Sequence, residues 1–493
     1  MLADLLIVGA GSAGMTAAIC AAQRGKQVIV VEKAAEPGGT LHYTAGHLSA
    51  AGTRLQQEKG ILDTPEEHYA DIARISRDTM NSVITKKAVV LAPKTLNWLE
   101  ELGYPFHEKA PLIIYGHEPY GKPRTYLGID DIRPLINAPG KTVLKILKPL
   151  WDQYVAAGKI TVYYNTRMVG MEVESNKVEG IRIDRRPETG DRFVATDQWP
   201  MTNDYAVLTA SNYILTTGGY ASNPELFKEV TEGVTRLIST ANPNSTGDGI
   251  IAARACGARI SSAQKHSSTL GGIELEPGSG RVDFWGAWAR VSNGVDRKQR
   301  EIYINENGVR FMNEYDLHAD EREQLVLQQP NRRFWLIFDH IALYDGTCVV
   351  PQWTPEQLIE ESKKEKAVWQ AQTIEVLAQK INVPVDVLQQ TINNYNQYCK
   401  TKTDTEYART YLEHPVTTAP YYAILVYAYS LISFGGIDVN ENLQVLKEDG
   451  TCFENLYAAG EILGAAATSG HAFCGGMLLT PALSFGKYLG ESL

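Results

Sequence analysis

Apolar and polar positions change rhythm several times along this chain. Residues 5–8 form a short apolar run, the pattern of a buried strand. Gly9-Ala10-Gly11-Ser12-Ala13-Gly14 follows, and then the helix-like stretch 15–22. A second apolar run, 28–31, ends at Glu32, and a third, 213–215, leads into Thr216-Thr217-Gly218-Gly219. From 354 to 407 the sequence changes character. Ile359, Ile374, Leu377, Ile381, Leu388 and Ile392 stand at helical spacing among Lys, Glu and Gln, with a break at Val383-Pro384. This predicts helices, flanked on both sides by strand-and-turn sequence.

The N-terminal pattern has a specific physical meaning. G-x-G-x-x-G between a strand and a helix is a dinucleotide site. Gly9 permits the tight turn, and Gly11 lets a pyrophosphate approach the positive helix N-terminus beside Ser12 and Ala13. Gly14 allows close helix–strand packing. Glu32, at the end of the next strand, is placed to accept from ribose hydroxyls.

Composition narrows the picture. The chain has 493 residues, 44% hydrophobic and 21% charged, which favours two or more globular domains. A net charge of -10 repels phosphate backbones, so no nucleic-acid partner is expected. There is no apolar run of about eighteen residues, so no membrane span is expected. Residues 1–10 lack a basic leader segment and run into the glycine turn. They read as a mature strand, and a cytoplasmic location is expected. Cys20, Cys256, Cys348, Cys399, Cys452 and Cys474 make no C-x-x-C pair. That excludes the usual iron–sulfur and c-type haem signatures, and neither a metal site nor a built-in electron relay is expected.

Further motifs point to FAD rather than NAD. They are Pro37-Gly38-Gly39-Thr40, Thr44-Ala45-Gly46-His47, the Thr217-Gly218-Gly219 return and Asn455-Leu456-Tyr457-Ala458-Ala459-Gly460-Glu461. Thr166-Arg167-Met168-Val169, Thr246-Gly247-Asp248-Gly249, Gly308-Val309-Arg310-Phe311-Met312-Asn313-Glu314 and Gly475-Gly476-Met477-Leu478-Leu479 complete the set. In their order along the chain they resemble the fumarate reductase and succinate dehydrogenase flavoprotein family, which includes the 3-ketosteroid dehydrogenases. The resemblance implies an α/β fold: a Rossmann-like, two-part FAD-binding domain (1–262 and 433–493) with an inserted α+β capping domain (263–432). It implies FAD contacts from Lys33, Gly39, Thr40, Ala45, Gly46, Met168, Thr217, Gly218, Asp248, Gly460, Glu461, Leu478 and Leu479, in addition to the first glycine turn and Glu32. Family members with covalent FAD attach it through a histidine where this chain has Thr40, so non-covalent FAD is expected.

Hydride chemistry at a C–C bond needs a group that exchanges the α-proton and donors that polarise a carbonyl. The first role falls to an Arg in fumarate reductases, a few residues past R-F-x-N-E, and to a Tyr at about the same place in 3-ketosteroid dehydrogenases. Here His318 stands there. Histidine suits proton removal near neutrality, since free imidazole has a pKa of about 6.5. His471 lies beside a ketone-polarising position of the 3-ketosteroid dehydrogenases, and Gly476 matches a backbone donor there. The alternative for His471 is a core histidine. Phe473, Ile432 and Ser433 replace the Arg and His that hold dicarboxylates in fumarate reductases, while His266 matches the family's other His. Tyr120, Arg124 and Tyr126, in a polar, aromatic loop with two prolines, are substrate-binding candidates, or else belong to a surface loop packed on the cap. Trp285 and Trp288 either line an apolar pocket or form cap core.

Two functions compete. One is a dehydrogenase introducing a C=C bond next to a carbonyl of a cyclic or bulky ketone. The other is a soluble reductase of an unsaturated carboxylic acid such as fumarate or urocanate. Either needs a separate electron acceptor or donor. A third possibility, FAD in a purely structural role, conflicts with a titratable residue at the acid/base position.

Overall fold

The computed structural model describes residues 3–114, 116–129, 141–184, 201–202, 205–231, 238–261, 269–283, 286–289, 291 and 297–493. Within strand Ala3–Val8, residues 5–8 are all apolar because both faces of its sheet are covered. Among the described residues this sheet runs Gln444–Leu446, Cys452–Ala458, Ala210–Leu215, Ala3–Val8, Val28–Val31, Ile160–Tyr163. All neighbours are parallel except the Gln444–Leu446 edge, which is antiparallel. The strand Ile160–Tyr163 was not expected from the sequence pattern.

The last helix, Leu479–Ser492, lies against the first, Ser12–Gln23. Their backbones touch: a Cβ on Gly486 or Gly490 would come within 2.3 Å of the carbonyl oxygen of Ala13 or Ala17. The C-terminal residues are thereby packed onto the nucleotide-binding turn. A second, four-stranded antiparallel sheet pairs Arg167–Glu174, Lys177–Asp184, Tyr205–Leu208 and Met201–Thr202 in turn.

A third sheet is organised by the long strand Tyr421–Ser430. Arg333–Asp339, Val368–Ala371 and Thr269–Gly272 pair with it antiparallel, and Ile302–Ile304 joins through Arg333–Asp339. Helices Ile374–Lys380 and Val385–Thr401 cover it, burying Ile374, Leu377, Leu388 and Ile392 against Ile302, Ile337 and Ala423. The apolar spacing was thus a true helical face, and Pro384 caps the second helix. One expectation fails. Val368–Ala371, inside the segment read as helices, is a strand. It pairs with Tyr421–Ser430 while Trp369 packs edge-on against Trp335 at 5.0 Å, so tertiary pairing overrides the surrounding helical composition. Ile238–Ser239 also joins this sheet, so the capping boundary we propose at 263 is crossed by one short strand. No described helix is long and apolar enough to cross a membrane.

Candidate active site

The nucleotide end is built mostly from backbone. Gly9 has φ +102, and a Cβ there would meet Thr216 O at 2.5 Å. A Cβ on Gly14 would lie 1.9 Å from Gly9 O. Around Gly11 the opposite holds, since a Cβ would meet nothing within 4 Å. That open space sits at the start of helix Ser12–Gln23. The N–H groups of Ser12, Ala13 and Gly14 precede the first helical donor, Met15 N–H to Gly11 O at 2.8 Å. A cradle of free N–H groups at a positive helix end fits a pyrophosphate.

Glu32 is 7% exposed and accepts from the N–H groups of Ala10 and Ala34, both at 2.7 Å. Burial pushes its carboxyl up, and these two donors oppose the shift. A carboxylate has about four acceptor sites, so capacity remains for ribose hydroxyls. Gly39 packs back on the turn, its Cβ direction 3.2 Å from Gly11 Cα, and Gly460 faces Ala13 in the same way. Leu478 and Leu479 open the last helix, which has no side-chain cap. The residues present therefore fit FAD.

Other expected contacts have partners of their own. Lys33 donates to Thr246 Oγ1 at 2.6 Å and to Asp248 Oδ2 at 3.0 Å, and Arg167 reaches Asp248 Oδ1 at 2.7 Å. Burial works to raise the Asp248 carboxyl, but Arg167 and Lys33 bring it below its ordinary value. Glu461 accepts from Ser433 N–H at 3.0 Å, and burial raises its carboxyl. Thr217 Oγ1 is buried without a partner, and Met168 is 4% exposed within its sheet. Thr40 is exposed, and Gly46 N–H is bonded to Thr44 Oγ1 beside Ala45. His42 Nε2 lies 3.0 Å from Pro37 O. Thr216, which the sequence reading passed over, ties the turn by donating to Val8 O and Gly9 O.

At the other end, side chains from distant segments meet. The motif Arg310-Phe311-Met312-Asn313-Glu314 is a buried scaffold. Arg310 bonds Glu314 through two nitrogens (2.8 and 2.7 Å) and Asp404 at 2.8 Å, and Arg409 lies 3.3 Å from Glu314. Asn313 Oδ1 accepts from the N–H groups of Tyr315 and Asp316, turning the chain toward His318. His318 is exposed and starts helix Ala319–Leu327 without a side-chain cap bond. Two residues on, Asp320 lies 3.6 Å from His471 Nε2 and 3.5 Å from Arg77. His471 Nδ1 is 2.7 Å from Thr79 Oγ1, so His471 is not a plain core residue. The neighbouring His471 ring, with Arg77 and His117 adding to it against burial, holds the Asp320 carboxyl down at about 2. Gly476, at φ +78, is pressed against Leu48 and Ser49.

The proline-rich loop needs correction. Arg124 is 1% exposed and bonds Asp63 at 2.6 and 2.7 Å as well as Asp71. Tyr126 is fully buried on Thr53 Oγ1 at 2.6 Å, and Tyr120 donates to Gly475 O at 2.6 Å. All three hold the loop to the framework. Their hydrogen-bonding groups are spent internally and are not offered to a substrate. His117 was missed. Its N–H donates to Phe473 O at 2.9 Å, and its ring lies 3.3 Å from Glu323. Trp288 donates to Leu270 O at 2.9 Å. His266 and Trp285 lie outside the described residues.

A backbone cradle for a dinucleotide at the end of a parallel sheet, with a histidine–carboxylate cluster beyond it, defines a dinucleotide-dependent oxidoreductase. The chain belongs to the FAD binding domain family, whose model matches residues 4–478, and is an FAD-dependent oxidoreductase. It is 26% identical to a probable fumarate reductase, Ifc3, of Shewanella frigidimarina, over 99% of this chain and 74% of that protein. It is 25% identical to a vinyl phenol reductase of Lactiplantibacillus plantarum, over 93% of this chain and 89% of that one. Its fold is similar to that of 3-ketosteroid delta1-dehydrogenase from Sterolibacterium denitrificans, solved in complex with 1,4-androstadiene-3,17-dione. The TM-score is 0.73 at 21% identity, covering 99% of this chain and 98% of that one.

Proposed function

We propose that the protein introduces a C=C bond next to the carbonyl of a neutral, mainly apolar substrate, the β-hydride passing to FAD and the α-proton to His318. One observation carries this reading: charge is balanced where the substrate would lie. Among the described residues, Arg77 faces Asp320 and Glu321, His471 faces Asp320, and His117 faces Glu323. A dicarboxylate would find no surplus cation here, and Phe473 and Ile432 offer it no hydrogen bond. Leaving a buried carboxylate without partners costs several kcal/mol. FAD, when bound, supplies the two-electron acceptor. In this reading the Gly476 N–H polarises the carbonyl oxygen, and the half-buried Phe473 ring covers the apolar body.

A second reading is reduction of an unsaturated compound, carboxylic acids included, with electrons from a separate donor. The likeness to a vinyl phenol reductase along nearly the whole of both chains favours it. The test is anaerobic. Oxidised enzyme is mixed with saturated ketones and acids, and reduced enzyme with their unsaturated partners, while the flavin absorbance is followed. Bleaching by a saturated ketone is expected. Rapid reoxidation by fumarate would sink the ketone reading.

A further inference from the structure

Helix Ala319–Leu327 carries Asp320, Glu321 and Glu323 near its N-terminus, and each faces a cationic group supplied from elsewhere in the chain. Arg77 lies 3.5 Å from Asp320 and 3.3 Å from Glu321, His471 Nε2 lies 3.6 Å from Asp320, and His117 Nε2 lies 3.3 Å from Glu323. The His117 and Glu323 side chains are only 9% and 3% exposed, so solvent screens that pair little. Two of the three cationic residues are therefore histidines, whose charge depends on pH.

The bonding around His471 fixes which ring nitrogen faces which partner. Thr79 Oγ1 donates to Ser76 O at 2.6 Å, so it accepts from His471 Nδ1–H at 2.7 Å. Nε2 then faces the Asp320 carboxylate favourably only when it also carries a proton. We infer that His117 and His471 form a proton-operated latch that seats helix Ala319–Leu327, and with it His318, against the FAD-binding part of the chain. They act on the reaction as positioning residues. The inference rests on the proposed function only in what His318 does once seated.

The direction of the effect follows from the surroundings. His117 is faced by Glu323, Asp320 and Glu118 and by the Phe473 ring, and Glu118 is itself paired with Arg74. His471 is faced by Asp320 and Thr79, with Arg77 on the same carboxylate, and Glu323 also interacts electrostatically with the buried Tyr429 and Arg322. Burial works against a charged His117, yet Glu323 leaves its pKa raised. A raised folded-state pKa means that the pairing is complete at lower pH and is lost as pH rises through that value. Asp320, held at about 2, stays ionised throughout.

The experiment is hydrogen exchange of the FAD-loaded full chain without substrate from pH 5.5 to 8.5, corrected for intrinsic rates. Peptides from 319–327 should open about tenfold or more readily at the alkaline end, while peptides from 12–23 stay level. His117→Gln should exchange fast at every pH, and Glu323→Gln should do the same from the opposite side of the pair. A flat wild-type profile, or a wild-type profile in both variants, overturns the latch. A substrate panel that contradicts the ketone reading leaves this profile untouched, so the two failures are distinguishable.

Discussion

The nucleotide end and the proposed substrate end of this molecule are built by different means. The first is held by close backbone contacts: Gly14 against Gly9, Gly486 and Gly490 against the first helix. The second is held by charged side chains from segments far apart in sequence, such as His471 with Asp320 and His117 with Glu323. Backbone contacts are forbidden to any residue with a Cβ, so they must be written as glycines at fixed spacing. Side-chain pairs can be made by many residue types at many positions, and leave no such trace.

The sharpest way to break this contrast is at the glycines. Gly14→Ala puts a methyl 1.9 Å from a carbonyl oxygen inside a packed turn, whereas Gly11→Ala puts it in open space. Gly14→Ala should yield little soluble protein. Gly11→Ala should fold with a normal circular dichroism spectrum but lose flavin, because its methyl fills the cradle. The readout is the flavin-to-protein absorbance ratio. A Gly11→Ala protein with full flavin content would show that the open space is not the pyrophosphate site.

At the substrate end the largest effect should come from the scaffold. Arg310 is 4% exposed and bonds both Glu314 and Asp404. Arg310→Met leaves two buried carboxylates with one fewer partner. It should cost about 3–5 kcal/mol in a urea melt, and a loss below about 1 kcal/mol would mean that Arg409 alone suffices.

That scaffold also explains what could be read in advance. The turn Gly9–Gly14, Glu32 and the helices over 374–401 were legible because each is fixed by local sterics or by local periodicity. The proposal for His318 rests on the Arg310–Glu314 motif, which fixes the register of the chain after it. Arg124 and Tyr126 misled because a polar, aromatic loop looks the same whether it faces a ligand or, as here, braces Asp63 and Thr53. His117 and Glu323 carry no local signal of their pairing, since they are brought together only by the fold.

His318→Ala tests the register argument directly. The residue is exposed and its side chain caps nothing, so flavin content and melting should hold. Flavin reduction by a productive ketone should slow by roughly 10²–10⁴-fold in stopped flow. A near wild-type rate would move the proton to another group, with His471 the first to test.

The smallest effect is expected back at the nucleotide end. Asp248 is shared by Lys33 and the outward-facing Arg167, whose side chain is 58% exposed. Arg167→Ala removes one half-solvated partner and leaves Lys33 in place, so the cost should be no more than about 1 kcal/mol. The sign with pH is opposite to that of the latch. The Asp248 carboxyl is lowered in the folded protein, so its contribution is full above the unfolded carboxylate pKa of about 3.9 and is lost as pH falls through the folded value. From pH 5.5 to 8.5 the difference in melting temperature between Arg167→Ala and wild type should therefore stay constant, while the exchange of residues 319–327 changes. A difference that shrinks toward alkaline pH would mean that the two ends are coupled, and that Asp248 senses the seating of the cap helix.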